Sequence, residues 1–274
     1  MSKPRMCPHC RAFIDSKDKT CQYCGNALPM TAASRLRREE RMSMAGSQVG
    51  FTTIILLLIN AALFVTSLVL TIRLAGETGM LANIDGQVLL MMGGKFRLSI
   101  LLYGEWWRLL TANFLHGGLM HLAFNMMSLY NLGPIAEDMF GTSRFLVFYL
   151  ATGVCGFAAS TMWSDGLSIG ASASICGLIG AMYGFSRRNF NSHLQSVAKR
   201  WIIAIAIFGF LFPNIDNAAH LGGLAAGLAF GYFCGTPGQD PGRESVWKGA
   251  SIGVATLTVA AFYFAYRNLA PAIG

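Results

Sequence analysis

The chain has 274 residues, of which 54% are hydrophobic and 12% charged, and its formal net charge is +8. Ordinary soluble domains carry about 25% charged residues, so the composition excludes one and indicates a multi-span membrane protein. In such a protein an excess of Lys and Arg first marks cytoplasmic loops, and nucleic-acid contact only second.

Four of the seven Cys fall in the first 24 residues, as Cys7-x2-Cys10 and Cys21-x2-Cys24, while Cys155, Cys176 and Cys234 lie inside apolar runs. Paired CxxC knuckles are the pattern of a tetrahedral zinc site, not of disulfides. Residues 1–30 are too few to build an apolar core, so a structural Zn2+ on Cys7, Cys10, Cys21 and Cys24 is expected to hold them as a zinc ribbon. His9 sits within the first knuckle, but four thiolates already complete the shell. No cleavable signal precedes the first apolar run, so the amino end is expected in the cytosol, a reducing compartment that suits thiolate ligands. Residues 31–49, with Arg35, Arg37, Arg38 and Arg41, form a basic linker that either touches anionic lipid or is a plain solvated connector. The ribbon reads as a docking module for a cytosolic protein partner or as a structural cap. Nucleic acid is disfavoured, because only Phe13 and Tyr23 could stack on bases.

Spanning a bilayer takes about 20 predominantly apolar residues. Runs at 51–72, 119–140, 145–163, 169–186, 218–235 and 249–266 satisfy this, and 201–212 becomes a span if it begins near Val197 with Lys199 and Arg200 snorkelling. With seven spans and the amino end inside, Arg144, then Arg187, Arg188, Lys199 and Arg200, then Arg243 and Lys248 all fall on the cytoplasmic side. The connection from about 74 to 118 contains Glu105-Trp106-Trp107-Arg108. It is apolar yet interrupted, and is read as a loop lying partly in the outer interface.

Spans two, four and six then run in the same direction, each with a polar group near its outer end. Span six offers His220, span four Ser172, and span two His121 and Asn125, which share one face at i,i+4. A Ser that reacts as a nucleophile needs an adjacent base, and His has the pKa for that task. Small residues repeat every four positions as Ala173, Gly177, Ala181 and as Ala219, Gly223, Gly227, Gly231. This spacing lets helix backbones approach closely in lipid and could bring Ser172 to His220. Against this, an intramembrane Ser often only bonds back to its own helix, whereas an intramembrane His is functional by default. His116 is as suited to orienting the loop as to reacting, Ser174 faces away from Ser172, and Asp216, four before His220, could serve as a third triad member but is expected to be solvated in the turn at 213–217.

Together these residues resemble the rhomboid family of intramembrane serine proteases, over about residues 50 to 235. The resemblance is carried by Trp107-Arg108, His116, His121 and Asn125, Gly170-x-Ser172, and Ala219-His220-x-x-Gly223-x-x-x-Gly227. It implies an all-α polytopic bundle of six core helices plus a seventh in 236–274, which also holds a cytoplasmic loop. It further implies a Ser172–His220 dyad that needs no catalytic cofactor, oxyanion stabilisation by His121 and Asn125, and Trp107 and Arg108 as a loop anchor. The implied activity is cleavage of transmembrane protein substrates near the outer face of the cytoplasmic membrane. Two positions depart from the family pattern: Ala173 stands where Gly usually follows the serine, and Cys176 where Tyr or Phe usually packs on the histidine. They favour the alternative of a non-catalytic rhomboid-like protein that binds transmembrane clients. A transporter or channel would place polar residues at several depths along a path, whereas here they gather near one face.

Overall fold

The computed structural model describes residues 4–7, 10–15, 18, 20–26, 50–212, 215–237 and 241–273. His9 and the basic linker at 31–49 lie outside them. The chain divides into two compact units, Met1–Gln48 and Val49–Gly274.

In the first unit β1 (Pro4–Met6) pairs antiparallel with β2 (Phe13–Asp15), Arg5 opposite Ile14. Two such short strands are not stable by themselves, and the buried apolar set is only Cys7, Ile14 and Cys21. The thiols are thus most of this small core.

The second unit is all helix: α1 (Phe51–Ala75), α2 (Gly86–Met91), α3 (Arg97–Tyr103), α4 (Arg108–Thr111), α5 (Leu119–Trp163), α6 (Ser172–Arg188), α7 (Ser192–Leu211), α8 (Asn217–Phe233) and α9 (Glu244–Ile273). A short 3-10 turn, Ala112–Phe114, follows α4. Helices α1, α5, α7 and α9 are each long and apolar enough to cross a membrane. α6 and α8 have 17 residues each, or about 25 Å of helix; α6 is largely buried, whereas α8 buries only its small-residue face at Ala219, Gly223, Gly227 and Gly231. This is an all-α, multi-pass membrane bundle.

Helix α5 contains two of the expected spans. It breaks at Gly141, where φ is 75° and ψ 155°, a left-handed conformation that Gly adopts without steric cost. The chain therefore reverses between 119–140 and 142–163 with one non-helical residue. Near that break Glu137 receives the amino end of α1: its carboxylate accepts hydrogen bonds from the backbone N–H groups of Thr52 and Thr53, both at 3.0 Å. Those donors have no partner within their own helix, and a carboxylate at a helix start is also favoured by the dipole.

The tightest packing lies between α6 and α8, both of which also pack on α5. A Cβ added at Gly223, Gly227 or Gly231 of α8 would overlap the carbonyl of Ala173, Gly177 or Ala181 of α6. In return, a Cβ at Gly180 or Gly184 of α6 would overlap the carbonyl of Leu224 or Leu228. The two backbones touch along five positions, so the four-residue repeats in the sequence are the contact surface itself. Gly177 also faces Thr152 of α5. Lipid gives no hydrophobic drive between helices, so such close approach supplies the dispersion and weak Cα–H···O contacts that hold them.

α9 joins the bundle at both ends. Arg144, buried on α5, pairs with Glu244 and lies 5.1 Å from the Trp247 ring centroid. At the far end Asn268 Nδ2 donates to the Met91 carbonyl at 3.0 Å. The connection from α1 to α5 is not the plain loop expected, because α2, α3 and α4 fold within it. These helices have six, seven and four residues, too few for a helical period to show in the sequence.

A side chain at the α6–α8 contact has nowhere to go, since the obstructing atom is backbone. Gly227→Val should therefore cost roughly 3 kcal/mol or more, read as a lower unfolding temperature in detergent. An equivalent change at the exposed Gly253 of α9, where nothing lies within 4 Å of an added Cβ, should change it little.

Candidate active site

Ser172 is the first residue of α6 and His220 lies in the first turn of α8. The glycine contacts hold these two helix starts together, and His220 Nε2 lies 2.8 Å from Ser172 Oγ. The two side chains are half-buried. That distance permits transfer of the hydroxyl proton to the imidazole. Among the described residues His220 Nδ1 has no hydrogen-bond partner.

His121 and Asn125 stand on α5 beside this pair. The backbone N–H of Gly117 donates to His121 Nδ1 at 3.3 Å, which leaves Nε2 as the protonated nitrogen of the neutral ring. That Nε2 faces Gly170: a Cβ there would lie 2.7 Å from it and 3.8 Å from Ser172 Oγ. Gly170 also has φ 121°, so both its conformation and its surroundings require glycine. Asn125 Nδ2 donates one hydrogen to the His121 carbonyl at 2.9 Å and keeps a second, because an amide nitrogen carries two. His116 is not on α5 but in the segment just before it. It is buried, with its ring edge-on to His121 at 5.1 Å between centroids.

Arg108 and Trp107 lie at the start of α4. The buried Arg108 guanidinium donates to the Leu90 carbonyl at 2.6 Å and the Gly94 carbonyl at 3.0 Å. It pairs with Glu105 at 2.6 Å and lies 4.7 Å from the Trp107 ring centroid. One side chain thereby fastens the end of α2 to the start of α4.

The two departures at α6 have clear surroundings. Ala173 is fully buried, and a Cβ added at Gly156 of α5 would come within 2.9 Å of its methyl. The absent side chain at Gly156 makes the room that Ala173 fills, and the methyl lies against α5. Cys176, one turn after Ser172, is buried.

Two residues take roles the sequence did not indicate, Ser174 and Asp216, and a third, Lys95, was not singled out there. Ser174 donates to Asn113 Oδ1 at 2.8 Å, and the Gly170 N–H donates to the Ala112 carbonyl at 2.9 Å, so the 3-10 turn holds the entrance to α6. Asp216 is not free in its turn. It caps α8 by accepting from the Ala219 N–H at 3.0 Å and receives the Ser160 hydroxyl. Lys95 is fully buried and donates to the Ser164 carbonyl at 2.7 Å.

In the first unit the ligand atoms of Cys7, Cys10, Cys21 and Cys24 all lie within 4.8 Å of one another. The Cys7–Cys24 and Cys10–Cys21 sulfurs are 3.8 and 3.6 Å apart. Tetrahedral thiolates 2.3 Å from a zinc ion would be about 3.8 Å apart, so the four could hold a metal. Both knuckles share one backbone design. Cys7 N–H bonds the Ala12 carbonyl and Arg11 N–H the Cys7 carbonyl, as Cys21 N–H bonds Asn26 and Gly25 N–H bonds Cys21, all at 2.9 Å. Arg11 and Gly25 occupy matching left-handed positions, φ 60° and 70°.

The Rhomboid domain model matches residues 103–237, the region that contains Trp107, Arg108, His121, Asn125, Ser172 and His220 but not Lys95. The chain is 41% identical to "Rhomboid protease GluP" of Bacillus subtilis (strain 168), over 55% of this chain and 30% of that protein. It is 36% identical to "Putative rhomboid protease YdcA" of the same organism, over 48% of this chain and 68% of that protein. With "RHOMBOID-like protein 4" of Arabidopsis thaliana it shares 31% identity over 62% of this chain and 48% of that protein. The chain thus spans under a third of GluP and about half of the plant protein. On the matched domain and on the coverage of YdcA, this chain belongs to the rhomboid family.

Proposed function

We propose that the protein is an intramembrane serine endopeptidase that cleaves transmembrane proteins near the extracytoplasmic face of the cytoplasmic membrane. The single observation that carries this reading is the 2.8 Å approach of His220 Nε2 to Ser172 Oγ. In the reaction His220 takes the hydroxyl proton as Oγ attacks the peptide carbonyl, and then delivers it to the leaving amine. A water activated by the same imidazole releases the acyl group from Ser172. Negative charge on the carbonyl oxygen is met by His121 Nε2–H, the second Asn125 N–H and the Ser172 backbone N–H. Preorganised donors of this kind contribute roughly 100- to 1000-fold each.

Substrates present small, helix-weakening residues near the cut, since an intact helix hides its carbonyls. The amino end is cytosolic, and α3 rests in the outer headgroup zone, where its exposed Leu98, Leu101, Leu102 and Tyr103 and the adjacent Trp106 meet lipid. The four amino-terminal thiolates hold a structural zinc ion in a ribbon over residues 1–30, which a linker at 31–49 joins to a catalytic core at 50–235. The ribbon docks a cytosolic protein.

One observation favours a second reading, a client-binding protein without catalysis. His220 Nδ1 lacks a partner, and Cys176 offers no aromatic face to steady the ring. Retention of both reacting side chains argues for the enzyme.

Ser172→Ala and His220→Ala should each lower cleavage of a single-span substrate with small residues near its outer end by at least ~1000-fold while the protein stays folded. Retained cleavage in either variant would defeat the dyad. Ala173→Gly should cost about 1 kcal/mol of stability and bring no gain in cleavage rate, because the methyl fills the space at Gly156. Metal analysis of the purified protein should find about one zinc per chain and much less after Cys7→Ser. Unchanged loading would remove the metal site.

A further inference from the structure

We propose that Lys95 and Asp216 are positioning residues that together set the Ser172–His220 distance from outside the reacting pair. The inference rests on the reading of Ser172 as the nucleophile. Its centre is the end of α5 and the connection 164–171 that leads into α6. Ser168 pairs with Lys95 by two backbone hydrogen bonds, Lys95 N–H to the Ser168 carbonyl at 3.0 Å and Ser168 N–H to the Lys95 carbonyl at 2.9 Å. The Lys95 ammonium also donates to the Ser164 carbonyl at 2.7 Å and, more weakly, to Gly166 at 3.3 Å, and the Ser164 N–H donates to the Ser160 carbonyl at 2.7 Å.

Asp216 carries the link onward. It receives the Ser160 hydroxyl from α5 and the Ala219 N–H of α8, and its own carbonyl accepts from the His220 N–H at 3.1 Å. Asp216 lies four residues before His220 and so stands one helical turn ahead of that side chain.

Charge is the reason to expect more than a fold contact. Lys95 is fully buried, and a buried ammonium is costly unless its donors are satisfied. Desolvation draws its pKa down, and the Asp216 and Asp165 carboxylates oppose that change. Neither Lys95 nor Asp216 forms a direct ion pair among the described residues. They act through Ser164 and Ser160, so losing either charge leaves the other buried with less compensation and lets the connection shift. A misplacement of about 1 Å can cost roughly 100-fold in rate.

The test is the second-order rate of labelling by a fluorophosphonate probe, which reports the reactivity of Ser172 without a protein substrate. Lys95→Met should label about 10-fold or more slowly than wild type at an unchanged unfolding temperature. Lys95→Arg, which can still donate to both carbonyls, should recover most of the rate. Lys95→Met labelling as fast as wild type would overturn the inference and leave the dyad standing. A wild-type protein that takes no label would remove the dyad, and this inference with it. Should Lys95→Met not fold, Ser160→Ala decides: it keeps the backbone bonds and loses only the hydroxyl that Asp216 accepts, so slowed labelling supports the link and unchanged labelling overturns it.

Discussion

Backbone contact between α6 and α8 is the constraint on which the rest of the membrane unit depends. Carbonyls of one helix press on glycine Cα atoms of the other at five positions, which fixes separation and register together. Because the reacting side chains stand at the starts of these helices, the register that packs the glycines also brings Ser172 and His220 to 2.8 Å. Packing and the proposed chemistry are therefore one requirement, met by the absence of side chains.

The ends of the bundle supply what glycine contacts cannot. A helix start exposes unpaired N–H groups, and these are answered at one end by Asp216 for α8 and at the other by Glu137 of α5 for α1. The connection from α1 to α5 wraps the end that holds Ser172 and His220, fastened by Arg108 and Lys95 through backbone carbonyls. Long-range polar contacts in a low-dielectric setting are strong when every partner is present and costly when one is missing. They give a rigid frame around a site that water must still reach.

Much of this was legible in the sequence because membrane helices announce themselves. Long apolar runs located the spans, and small residues every four positions marked the α6–α8 contact. Polar groups at one depth on spans two, four and six picked out Ser172, His220, His121 and Asn125. What was hidden depended on tertiary partners. Lys95 and Asp216 sit in connections, where a charged residue is ordinarily solvated, and nothing local tells that Ser160 and Ser164 join them. Glu137 meets its partners 84 and 85 residues away. α2, α3 and α4 are too short to carry a period. Ala173 looked like an intrusion into the site until Gly156 was seen to make room for it. In the amino-terminal unit the Cys spacing gave the ligand set, whereas the left-handed Arg11 that mirrors Gly25 had no sequence signal.

The central claim is that Ser172 is activated by His220. Its most direct measurement is mass spectrometry of the purified full-length protein after reaction with a fluorophosphonate, mapping the modified residue in wild type and in His220→Ala. The account predicts one adduct per chain, on Ser172, and none in the variant under the same conditions. An adduct on Ser172 that forms as readily without His220, or one on another serine, would contradict it.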